Sequence, residues 1–201
     1  GTFTLANAAN NLNVVYLEGG STLLVNGGLT ASYINASSGT TLLVNGALTA
    51  SNIHASSGST LGGSGSIGGD VHIWDATLSP GSGAGTGVLT INGNLNLDDG
   101  STLAAQINGN TAGTGYDQVV VNGAVSIHAN TTLAVTHGYP PAAGDVYTLI
   151  VNNAADAVVG AFNGLAEGGT RTAGGNGTVL TASYVAGTGN HVTLTAPTNA
   201  P

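Results

Sequence analysis

Residues 20–38 read GSTLLVNGGLTASYINASS, and residues 39–57 read GTTLLVNGALTASNIHASS. Fifteen of these 19 positions are identical. A third copy begins at Gly58 as GSTL and then diverges. A unit this short cannot bury an apolar face of its own, so the face is buried only when one unit stacks on the next. Each unit holds two or three short runs, TLLVN, LTAS and a third around Ile34 or Ile53, separated by small polar residues. Apolar residues alternate within the runs, and no stretch keeps helical spacing over three turns. About three strands of four to five residues plus corners make one turn of a solenoid. The sequence therefore predicts an all-β fold, a parallel β-helix (β-solenoid).

A shorter signature runs further along the chain: an aliphatic residue, Asn-Gly, any residue, an aliphatic residue. It occurs at Val25–Leu29, Val44–Leu48, Ile91–Leu95 and Val121–Val125, with a degenerate copy at Ile67–Val71. At one fixed corner per turn, Gly would supply a positive φ. Asn would tolerate the left-handed region and hydrogen-bond to the Asn of the next turn, so Asn26 and Asn45 are expected to form a ladder. Alternation points Leu23, Val25, Leu42 and Val44 inward.

The later turns lengthen, which places loops at 79–87 and 109–115. Beyond Thr136 the repeat stops at His137-Gly138-Tyr139-Pro140-Pro141. The domain reading is 1–136 for the solenoid and 137–201 for a C-terminal antiparallel β cap or small sandwich, with VYTLIV, GTVLTASYV and HVTLTA as its strands. No comparable cap is legible at the start. Phe3, Leu5, Val15 and Leu17 are apolar on strand-like runs with Glu18 as the one nearby charge, and they are the expected assembly interface.

Composition narrows the function classes. Charged residues make up 5% of the chain, against about 25% in an average soluble protein, and the net charge is −8. One Lys or Arg, Arg171, excludes the basic footprint of a nucleic-acid-binding protein. No apolar run approaches the ~18 residues of a membrane-spanning helix. The chain has no Cys, Met or Lys, which suits the outside of a cell. Lacking an initiator Met and a signal peptide, it reads as a processed chain or an excised fragment.

Residues 77–136, with TLSPG, GVLTINGNL and GYDQVVVNG, resemble the autotransporter-associated β-strand repeat of large bacterial surface and secreted proteins. PAAGDVYTLI at 141–150, GAFNGLAEG at 160–168 and SYVAGTGNHVTLT at 183–195 resemble the tail common in those proteins. The resemblance departs at Gly189-Asn190-His191, where family members often carry Gly-Asn-Asp. It implies a right-handed parallel β-helix, bacterial export to the cell surface or the extracellular space, and adhesion or scaffolding.

No set of residues reads as an active site. Asp98-Asp99 precede Gly100 as a turn, and Arg171 sits in a Gly/Thr loop. Five histidines show no metal-ligand spacing, although stacking could bring His54 and His72 together across turns. No cofactor or metal is expected. Asp70, His72 and Trp74 share a strand face and form the candidate ligand patch. Thr22, Thr41 and Thr60 form one column, narrow for an ice-binding array. The expected function is that of a non-enzymatic extracellular structural protein, a subunit or stalk segment of a bacterial surface fibre that self-associates head-to-tail into a filament. The alternative is an adhesin passenger domain that binds a glycan or host surface.

Overall fold

The computed structural model describes residues 1–7, 9–81, 83 and 85–198. Every regular element among them is a β-strand, and three sheets run along the molecule. The described residues make seven turns of a parallel β-helix, each giving one strand to a first, a second and a third face in that order. The first turn is Thr2–Leu5, Asn10–Asn11 and Val14–Leu17. The seventh is Thr132–His137, Val146–Asn152 and Val159–Gly160.

Register turns the repeat into columns. Leu23, Leu42, Leu61 and Leu78 stand one above another on the inside of the first face. Leu29, Leu48, Ile67 and Ile91 do so on the second, and Ile34, Ile53, Val71 and Leu95 on the third. All are buried. Leu23, Val25, Leu42 and Val44 point inward, as alternation requires. A residue in a column packs against its copies above and below, so a short unit needs few aromatics to fill its core. On the outside of the first face the Thr column extends beyond the repeat. It runs through Thr2, Thr22, Thr41, Thr60, Thr77, Thr102 and Thr132. Its outward neighbours are Leu24, Leu43, Gly62 and Ser79, so it remains one residue wide.

The Asn-Gly signature occupies two corners instead of one. Val25–Leu29 and Val44–Leu48 lie between the first and second faces, whereas Ile91–Leu95 and Val121–Val125 lie between the second and third. Each corner carries its own ladder. Asn45 Nδ2 donates to Asn26 Oδ1 at 3.1 Å. At the other corner Asn122 donates to Asn92, and Asn153 to Asn122, both at 2.7 Å. The glycines of the signature correct the sequence reading. Gly27, Gly46, Gly93 and Gly123 are absent from the positive-φ residues. They are required because a Cβ would run into the backbone of the turn below: at Gly46 it would land on the carbonyl oxygen of Gly27. At the third corner φ is positive, at Gly39 (70°), Gly58 (75°) and Gly100 (72°), and at Ser38, Ser57 and Asp75.

Longer turns arise by excursions at the corner between the first and second faces. Ser79 and Pro80 belong to the strand Thr77–Pro80, so the first loop starts at Gly81, later than expected. Ser82 and Ala84 within it lie outside the described residues. The second excursion, which contains 109–115, joins Thr102–Ile107 to Gln118–Val121. Asp117 ties both together, its carboxylate accepting from Gly87 N at 2.9 Å and Gln106 N at 2.8 Å.

The boundary at 136/137 also shifts. Val146–Asn152 pairs in parallel with Gln118–Val121, and Val159–Gly160 with Val125–Ile127, so the coil continues to Gly160. His137-Gly138-Tyr139-Pro140-Pro141 begins a third excursion, after which the chain returns to the coil. The cap proper follows. His191–Thr195 pairs antiparallel with Val146–Asn152, then Val179–Ala186, then Thr170–Thr172. Phe162 and Leu165 are buried there, and the Tyr184 hydroxyl donates to Leu165 O at 2.7 Å while accepting from Phe162 N at 3.0 Å. Arg171 lies in the strand Thr170–Thr172 and donates to the carbonyl of Leu133, so it holds the cap onto the coil instead of occupying a loop.

Candidate functional site: a groove on the third face

The strand Asp70–Trp74 alternates cleanly, with Val71 and Ile73 buried and Asp70, His72 and Trp74 turned outward. The three expected residues therefore share a face, but they do not form one site. Asp70 Oδ1 accepts from Asn94 N at 2.8 Å and holds the corner of the next turn. His72 and Trp74 instead border a groove of about 340 Å³ that also involves Tyr33, Asn35, His54 and Asp98.

Unequal turns converge on this groove. Asn35, His54 and His72 are in register on three successive strands and form its floor. The His54 and His72 rings stack with centroids 4.7 Å apart and planes 18° from parallel. Tyr33 packs on His54 at 5.3 Å, and Tyr16 on Tyr33 at 6.5 Å. Trp74, opposite Ser56 in register, is 56% exposed. His72 Nδ1 lies 3.8 Å from Asp98 Oδ2, and a second pair, His128 with Asp99, sits one turn further on.

Burial holds the His54 pKa below its ordinary value; His72 pushes the same way, and Asp98 opposes them. The neutral ring is favoured, and a neutral imidazole offers one donor and one acceptor. Face-to-face stacking of His54 on His72 aims their in-plane nitrogen lone pairs outward instead of at a common point. Among the described residues no three His, Asp or Glu side chains converge as a metal-ligand set. No helix there is long and apolar enough to cross a membrane.

Tyr33, Asn35 and Asp98 escaped the sequence reading. For Asn35 a signal exists, because the 19-residue repeat places it under His54. For Asp98 there is none, because its own turn, the fifth, is lengthened by the excursion between Thr77–Pro80 and Val88–Ile91.

The expected assembly residues divide. Phe3 stands in the inward column of Leu23 and is 63% exposed, with no turn beneath it among the described residues. Leu5 and Val15 are buried, and Leu17 is half-buried. These three line an open cavity of about 310 Å³ at the base of the coil, with Phe3 at its side. Leu5 and Val15 are thus core residues of the first turn. Leu12, Val14 and Tyr16 are exposed around them. No family model matches this sequence, and no curated protein matches it.

Proposed function

We propose that this protein is a non-enzymatic structural segment of an exported bacterial surface protein, a stalk or fibre subunit that associates end to end. One observation carries the reading. The exposed large apolar side chains lie at the two ends of the coil, with Trp74 as the exception among the described residues. Phe3, Leu12, Val14 and Tyr16 are at the first turn; Val146, Val159, Val179 and Val185 are at the seventh turn and its cap. Apolar surface gathered at the ends favours contacts along the axis.

Free strand edges sit at the same places. Thr2–Leu5, Asn10–Asn11 and Val14–Leu17 each pair on one side alone, and Thr170–Thr172 is the outer strand of the second face. Unpaired edges recruit partners by strand addition. A head-to-tail contact is heterologous, so it produces a filament unless its rotation closes a ring. Export and the surface location rest on the resemblance of residues 77–136 to the autotransporter-associated repeat and on the absence of Cys, Met and Lys. The non-enzymatic reading is supported by the engagement of Asp70 and Asp117 with backbone amides and of Asp145 with Tyr139.

Light scattering across a concentration series, with negative-stain images of the same samples, tests the assembly. Mass should grow with concentration and short filaments should appear. Phe3→Asp combined with Leu12→Asp should keep the protein monomeric with an unchanged melting temperature. A parent chain that stays monomeric at the highest attainable concentration overturns the end-to-end reading.

A further inference from the structure

We propose that the groove between Trp74 and Tyr33 binds an uncharged hexopyranose unit of a glycan. Trp74 is exposed away from both ends of the coil, so end-to-end association leaves it uncovered. Among the described residues no other ring packs against it, whereas Tyr33, His54 and His72 are each held by a ring neighbour. The site thus pairs a free aromatic surface with a floor fixed by stacking on successive turns. A floor held in place before binding loses little freedom on contact, which favours affinity.

The chemistry of the lining selects the ligand class. A pyranose has a face of C–H bonds and a rim of hydroxyls. Trp74 supplies an apolar surface for the face. Asn35, His54, His72 and Asp98 supply both donors and acceptors for the rim. The volume of about 340 Å³ is at the lower end of small-molecule sites and suits one sugar ring with its neighbours outside. Charge excludes the acidic sugars. Asp98 lines the groove, Asp75 and Asp99 lie on the adjoining corner where Asp75 N donates to Asp99 O at 2.9 Å, and the sole Arg is engaged at the cap. A uronate or sialate carboxylate would meet like charge with no cation to offset it. Binding here is independent of assembly, because the groove uses none of the residues that close the ends.

Trp74 is the single tryptophan of the chain, so its emission reports on this groove alone. The test titrates the protein with methyl glucopyranoside, methyl mannopyranoside, methyl galactopyranoside and their short oligomers, and with the corresponding glucuronide. At least one neutral series should shift the emission and saturate, and the glucuronide should bind at least about tenfold more weakly. His72→Ala keeps the reporter and should weaken neutral-sugar binding about tenfold or more at an unchanged melting temperature. Asp98→Asn should narrow the gap between neutral and acidic sugars. A saturating response retained by the Phe3→Asp, Leu12→Asp protein separates the groove from assembly. The proposal is overturned if no neutral series saturates, if the glucuronide binds as well as its neutral counterpart, or if His72→Ala binds like the parent.

Discussion

The two ends of the coil treat large apolar side chains oppositely. At the start, Phe3 stands directly below Leu23, Leu42 and Leu61 in the most regular column of the core, and its ring is 63% exposed. At the finish, Phe162 and Leu165 belong to no column, yet both are 2% exposed under the antiparallel strands. In a solenoid, then, burial is decided by what lies on the next turn and not by the residue or its place in the repeat. The same aromatic side chain is core at one end and surface at the other.

The sharpest way to break this comparison is to truncate both rings. Phe162→Ala should cost about 3–5 kcal/mol, as for a fully buried aromatic, and Phe3→Ala less than about 0.5 kcal/mol, read from denaturant melts of the monomeric protein. Equal losses would mean that the first turn is covered in the isolated chain.

Glycines at the first corner sharpen it further. A Cβ on Gly27 would strike the carbonyl of Asn7 in the first turn, and one on Gly46 would strike the carbonyl of Gly27. Gly46→Ala should cost about 1–3 kcal/mol, because its neighbour turn is held from both sides. Gly27→Ala should cost less, because among the described residues the first turn pairs on one side alone and can yield. The reverse order would show that the first turn is as rigid as the interior.

The smallest effect is a pH dependence that comes chiefly from the later turns and the capped end. His137 is fully buried and its pKa is lowered, chiefly by burial, with Tyr139 and Asp145 opposing. A lowered histidine pKa favours the neutral ring in the fold, so its contribution is complete above the ordinary value of 6.5 and is lost as pH falls. His54 acts in the same direction. Asp117 is pushed up from 3.8 to about 6, by burial first, against its two backbone hydrogen bonds. A raised carboxyl pKa favours the protonated form in the fold, so that contribution is complete below 3.8 and is lost as pH rises through about 6. The two oppose each other on mild acidification. Asp117→Asn removes the compensating group, so its melting temperature should fall further than that of the parent between about pH 7 and pH 5. An identical fall would remove Asp117 from the balance.

Much of this fold is legible in one repeat. The inward set of Leu23, Val25, Leu42 and Val44 follows from alternation, and the Asn26–Asn45 ladder from the 19-residue period. The corner that each Asn-Gly occupies is not legible, because close approach of adjacent turns imposes the same two residues wherever it happens. The boundary at 136 was hidden for a related reason: Pro140-Pro141 ends a strand whether the chain leaves the coil or only makes an excursion. Half of the groove could be read, since His72 and Trp74 alternate on one strand. Asn35 and His54 follow from the 19-residue period, whereas Asp98 comes from a turn whose length depends on an insertion at another corner. Asp70 illustrates the limit of alternation, which fixes the side of a sheet but not the bond a carboxylate makes there.

Amide hydrogen exchange, followed residue by residue at rising protein concentration, tests the open first turn most directly. Thr2–Leu5 and Val14–Leu17 should exchange fast in dilute protein and gain protection as concentration rises, together with Thr170–Thr172 at the other end, while Thr41–Val44 stays protected throughout. Fast exchange at the first turn at every concentration would contradict association through that end.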